Sequence, residues 1–169
     1  TLKGMTLTTP DATYIGNPFY LYAGTPTLAH ELLEALVITG EAGGGDGIRI
    51  GNYQVDDIVF RNVSVLNNPT GRLVKFTAQN TAYTNFVFDG GTWSGNGWWD
   101  AGAGRISGLT NLTVNNWTFS ANNGPFQFAK VLGNVSITNT SVSDNSSQGM
   151  NLWMGNGVSF VVSGSVFAE

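Results

Sequence analysis

The chain has no cysteine, which excludes a disulfide framework, a thiol nucleophile and a thiolate zinc site. Charge is scarce. Asp, Glu, Lys and Arg make up 11% of the residues, where about a quarter is usual. The net charge of −4 argues against nucleic acid as a partner. No stretch approaches the roughly eighteen apolar residues of a membrane span, and no signal-peptide pattern is present. His30 is the only histidine. Its surroundings, His30-Glu31-Leu32-Leu33-Glu34, lack the second His of a zincin motif, and one His on a local insertion does not support a Ser-His-Asp triad. Gly43-Gly44-Gly45-Asp46-Gly47 lacks the Lys-Ser/Thr of a phosphate loop and reads as a corner. Neither a metal nor a cofactor is implied.

What is present is glycine, 23 residues of it, together with abundant Asn, Thr and Ser around short apolar alternations. That is the composition of a turn-rich all-β protein. The 169 residues suit a single domain over residues 1–169, long enough for a sizeable core. The chain opens at Thr1 and both ends are already in repeat phase, which reads as a segment of a longer chain.

The alternations recur. Taking the last apolar residue of each as a marker gives Leu2, Ile38, Phe60, Phe88, Val114, Ile137 and Phe160, a solenoid-like period of roughly 20–30 residues. Two positions after the marker stands a turn residue: Gly4, Gly40, Asn62, Gly90, Asn116 or Asn139. Both types tolerate left-handed backbone, and stacked Asn side chains can hydrogen-bond along a solenoid axis. A second short strand follows, then a polar corner, then a third strand such as Ile48-Arg49-Ile50, Val74-Lys75-Phe76, Phe126-Gln127-Phe128 or Met150-Asn151-Leu152. The expected fold is therefore a stack of about six to seven three-sided coils. The first outward column is expected to read Lys3, Thr39, Arg61, Asp89, Asn115, Thr138, Val161, with Arg61 and Asp89 paired between rungs. One insertion stands out: Pro26 to Leu36 reads as a short amphipathic helix near residues 27–35, capped by Thr27, with Leu28, Leu32 and Leu36 on one face.

Across nearly the whole chain this repeat resembles the right-handed parallel β-helix superfamily, which includes pectin-degrading enzymes and phage tailspikes. Gly45-Asp46-Gly47 followed by Leu73-Val74-Lys75 is similar to the polygalacturonase order Gly-His-Gly … Arg-Ile-Lys. Asp46 and Leu73 replace the His and the Arg, and Tyr22-Ala23-Gly24 stands where aspartates belong, so that activity is rejected. The resemblance implies a protein that binds, and in many members cleaves, a surface polysaccharide along an elongated flank. It also implies a homotrimer or a stack on further coils, and an extracellular or virion-surface location. The alternative is a non-catalytic shaft of a fibre or adhesin. Six Asn-X-Ser/Thr sequons, at Asn62, Asn111, Asn116, Asn134, Asn139 and Asn145, point to a bacterial or viral source, because an asparagine stacked in a ladder has no room for a glycan.

Glycoside hydrolysis needs two carboxyls roughly 5–9.5 Å apart, and no column carries acids in adjacent coils. Glu41, Asp46 and Asp100 are the remaining candidates, as corner acids beside a cleft. Asp56, Asp57 and Asp144 read as solvated turn acids, and His30 as exposed on the inserted helix. The third strands carry the more suggestive column: Arg49, Lys75, one indole of Trp98-Trp99, Gln127 and Asn151, with Trp153 at its end. Fork-shaped donors beside an exposed indole suit sugar hydroxyls, carboxylates and the apolar face of a pyranose.

Overall fold

The computed structural model describes residues 1–8, 19–21, 27–39, 48–50, 54–68, 74–76, 83–97, 109–146 and 149–168. They form parallel strands stacked as a β-solenoid. Side one holds β1 (Leu2–Lys3), β4 (Thr27–Glu34), β7 (Gln54–Arg61), β10 (Tyr83–Asp89), β12 (Leu109–Asn115), β15 (Val135–Thr138) and β18 (Phe160–Ser163). Side two is a seven-stranded sheet of β2 (Thr6–Thr8), β5 (Val37–Thr39), β8 (Ser64–Leu66), β11 (Thr92–Ser94), β13 (Thr118–Ser120), β16 (Ser141–Ser143) and β19 (Val166–Phe167). Side three is described in β3 (Phe19–Leu21), β6 (Ile48–Ile50) and β9 (Val74–Phe76), a three-stranded sheet; β14 (Phe126–Val131) and β17 (Met150–Met154) pair with each other and join the sheet of side one where Val131 pairs with Leu109. No helix occurs among the described residues, so none there is long and apolar enough to cross a membrane.

Left-handed backbone turns each rung. One column of positive φ bends the strands of side one, at His30, Asp57, Asn85 and Asn111. A second ends them, at Gly4, Ala35, Asn62, Gly90, Asn116, Asn139 and Gly164, and a third ends side two, at Asn67, Gly95, Ala121 and Asp144. Each such residue interrupts the period-2 alternation, so buried side chains on either side lie three apart, as at Val55 and Ile58, Tyr83 and Phe86, or Leu109 and Leu112. Inside, Phe60 stacks on Phe88 at 5.0 Å between ring centroids, and Trp93 meets Phe88 edge-on at 5.4 Å. Trp117 packs among Trp93, Phe119 and Phe126. These rings, with Ile38, Val65, Val114 and Ile137, form one continuous core.

The same rule corrects the expected helix. Thr27–Glu34 is a strand, paired with β1 on one edge and with β7 on the other. Left-handed residues at His30 and Ala35 break the two-residue alternation, and the expected helix face mixes both faces of the strand: Leu36 is buried, whereas Leu32 pairs with Val59 on the outer face. Two ladder hydrogen-bond partners outweigh that coincidence. The register also moves two markers. Leu33, not Ile38, pairs with Phe60, while Ile38 pairs with Val65 on side two. Val162, not Phe160, pairs with Ile137. Ile38-Thr39-Gly40 mimics Phe88-Asp89-Gly90, but the residue in the turn column is Ala35, with φ 52°. The outward column is therefore Lys3, Glu34, Arg61, Asp89, Asn115, Thr138 and Ser163.

A buried asparagine ladder follows side two, one position after the third left-handed column. Asn68 Nδ2 donates to Asn96 Oδ1 (2.9 Å), Asn96 Nδ2 to Asn122 Oδ1 (3.0 Å), and Asn122 Nδ2 to Asn145 Oδ1 (3.1 Å). The backbone N–H groups of Asn68, Asn96 and Asn122 donate to the same oxygens, and Asn96 Nδ2 also reaches Val65 O at 2.8 Å. An interior amide is tolerated only when its donors and acceptors are met, and this ladder meets them across rungs. The stacked asparagines expected in the turn column are thus one corner further on. Asn62, Asn116 and Asn139 are exposed, so the argument that a glycan lacks room there fails; of the sequon asparagines only Asn145 belongs to the buried ladder.

Candidate functional site

Side three brings the predicted column together in part. Arg49 pairs in register with Lys75, and Tyr20 with Arg49, so three adjacent rungs carry Tyr, Arg and Lys at one position. Parallel neighbours stand about 4.8 Å apart. Gln127 and Asn151 pair with each other between β14 and β17, in the sheet that contains side one and not in that of Arg49 and Lys75. Trp153 is 53% exposed and lies two residues past Asn151, on the same face of that strand. Trp98, Trp99 and Asp100, and likewise Glu41 and Asp46, lie outside the described residues.

The outer face of side one carries two further polar ladders. In the first, Lys3 Nζ lies 3.1 Å from Glu34 Oε2, and Arg61 bridges Glu34 at 3.9 Å and Asp89 at 3.6 Å. Asn115 Nδ2 then donates to Asp89 Oδ1 (3.0 Å), and Thr138 Oγ1 to Asn115 Oδ1 (2.6 Å). The expected pairing of Arg61 with Asp89 is present. Sequence reasoning missed Glu34, because it placed that residue in a helix.

The second ladder follows the bend in the strands. His30 Nδ1 lies 2.9 Å from Asp57 Oδ2, and Asn85 Nδ2 donates to Asp57 Oδ1. Asn111 Nδ2 donates to Asn85 Oδ1 (2.8 Å), and Asn134 N to Asn111 Oδ1 (3.0 Å). Asn, Asp and His are the types that tolerate left-handed backbone most readily, so one composition serves both the bend and the ladder. Asp56 and Asp57 are therefore strand residues and not turn acids; Asp56 Oδ1 accepts the Thr84 hydroxyl at 2.7 Å. His30 is exposed as expected, but on a strand. Asp144 occupies a left-handed turn at φ 55°.

Chemically, these ladders hold carboxylates in ion pairs and hydrogen bonds, where they stiffen the stack. What a ligand could meet is a row of fixed donors and acceptors repeating at each rung. Set beside known proteins, the chain matches no family model, no curated protein and no solved structure, so its assignment as a parallel β-solenoid rests on its own geometry.

Proposed function

We propose that the chain is a polysaccharide-binding β-solenoid of the tailspike type, contacting a bacterial surface glycan along side three. The observation that carries this reading is the register pairing of Arg49 with Lys75, with Tyr20 one rung beyond. Donors repeated from rung to rung suit a polymer, because each sugar can meet the same chemistry as its neighbour. Trp98 and Trp99, which lie outside the described residues, are the indoles this reading expects to stack on a sugar ring. In this reading the protein works outside the cell or on a virion, as a homotrimer or stacked on further coils.

Depolymerisation would need a carboxyl pair. On side one Glu34, Asp57 and Asp89 are engaged in ladders, and the places to look are the corner acids expected beside a cleft, Glu41, Asp46 and Asp100. A second reading, a non-catalytic shaft, is favoured by the run of polar ladders along the axis, which supplies rigidity with no ligand.

A glycan array separates these. Arg49→Ala combined with Lys75→Ala is expected to weaken binding by about tenfold or more, and Trp98→Ala or Trp99→Ala to do the same, with unchanged circular dichroism. Release of reducing ends from capsule or O-antigen would establish an enzyme. Failure of the unsubstituted protein to bind any bacterial polysaccharide would leave the shaft.

A further inference from the structure

Three asparagines stand directly before a glycine: Asn96-Gly97, Asn123-Gly124 and Asn156-Gly157. That dipeptide can modify itself. The glycine amide nitrogen, once deprotonated, attacks the asparagine Cγ and closes a cyclic imide, while the Cγ–Nδ2 bond breaks and ammonia leaves. Water then opens the imide, at Cγ to give aspartate or at the main-chain carbonyl to give isoaspartate. Glycine favours closure because it has no Cβ to crowd the attack. We propose that the fold leaves this reaction open at Asn156-Gly157 and closes it at Asn96-Gly97, which makes Asn156 a site of spontaneous deamidation.

Asn156 lies in the turn between β17 and β18, where it and Gly157 are both exposed. Among the described residues no hydrogen bond holds its side chain or the Gly157 N–H. Gly157 has φ +77°, and a Cβ there would meet no atom within 4 Å. Hydroxide and water therefore reach both reacting groups, and the amide is free to turn toward the nitrogen. Asn96 is the opposite case. Its Nδ2 is held by Val65 O (2.8 Å) and Asn122 Oδ1 (3.0 Å), and its Oδ1 by the N–H and Nδ2 of Asn68. The Gly97 N–H, which would have to lose its proton, donates to Asn68 O at 2.8 Å, and both residues are buried. Cγ cannot approach the nitrogen unless the rung opens. Asn123 is exposed, but its own N–H is tied to Asn96 O at 2.8 Å and Gly124 is buried. The ladder thus spares the position where conversion would do most harm. An aspartate at position 96 would turn a carboxylate oxygen toward Val65 O and Asn122 Oδ1, in place of two N–H donors.

The test is incubation of the folded protein at mildly alkaline pH, with peptide mapping by mass spectrometry and isoelectric focusing at intervals. Asn156 should convert at least about tenfold faster than Asn96, because reaction at Asn96 waits for local opening of the ladder. Each conversion adds one negative charge, so a more acidic species should accumulate, and Asn156→Gln should remove most of it with circular dichroism unchanged. A methyltransferase that caps isoaspartyl carboxylates should label the Asn156 peptide. In urea, where no ladder holds Asn96, the rates at Asn96 and Asn156 should converge. Conversion of Asn96 in the folded protein as fast as Asn156 would overturn the proposal, as would an Asn156 that stays intact. A difference that persists unchanged in urea would also overturn it, since the neighbouring sequence and not the fold would then account for the contrast.

Discussion

At the scale of single residues, the buried asparagines are the most consequential polar groups among the described residues. Asn96 accepts from both the backbone and the side chain of Asn68, and donates to Val65 O and Asn122 Oδ1. Asn96→Leu keeps a similar volume but strands groups on three neighbours, each costing about 1–3 kcal/mol when buried and unmet. We expect a loss of about 3 kcal/mol or more in urea unfolding, against less than about 0.5 kcal/mol for the partly exposed Ser120→Ala. A loss near that of Ser120→Ala would show that water replaces the ladder. The ladder was not legible beforehand. Asn67-Asn68 puts the turn residue and the ladder residue side by side in one letter, and only tertiary burial separates them. Asn62, Asn116 and Asn139, by contrast, were legible as left-handed positions, because few residue types adopt that backbone.

At the scale of an element, the corner between sides one and two in the central rung is the tightest at any described glycine. A Cβ on Gly91, where φ is +104°, would lie 2.1 Å from Val63 O, a backbone atom that cannot rotate away. A Cβ on Gly90, at φ +77°, would meet Asn62 Oδ1 at 2.3 Å, a side-chain atom that can. Gly91→Ala should therefore destabilise the protein by more than about 3 kcal/mol and Gly90→Ala by about 1–2 kcal/mol. Adding Asn62→Gly should recover part of the second loss and none of the first, as read from urea midpoints. The same left-handed corners explain what the sequence concealed. Thr27–Glu34 read as a helix because leucines of opposite strand faces, Leu32 outward and Leu36 buried, fall four apart where left-handed residues break the two-residue alternation. Ile48-Arg49-Ile50 and Val74-Lys75-Phe76 contain no such residue, so their alternation gave the strands of side three and set Arg49 beside Lys75 correctly.

At the scale of the whole molecule, the stack was legible from its period, while the phase of two rungs, at Ile38 and at Phe160, was not, since local triplets imitate the repeat. The last described rung leaves apolar side chains uncovered. Phe160, Val162 and Phe167, with Met150, Leu152 and Met154, line an open cavity of about 590 Å³. This end should bind an apolar dye such as anilinonaphthalene sulfonate, and Val162→Lys or Phe167→Lys should reduce the fluorescence gain at least by half (roughly, given the area removed) without lowering the unfolding midpoint. Unchanged fluorescence would place the dye elsewhere. One regularity reaches further. The same number of residues separates Val55 from Asn68, Tyr83 from Asn96 and Leu109 from Asn122, although successive ladder asparagines are 28, 26 and 23 positions apart. Nearly all the variation in rung length therefore falls after the buried amide, in the stretch that leads to side three and back; the last of these rungs adds one residue on side one, between Val131 and Val135. Insertions and deletions inherited there leave the stacked columns untouched, so related lineages can rewrite that one flank while keeping the same shaft.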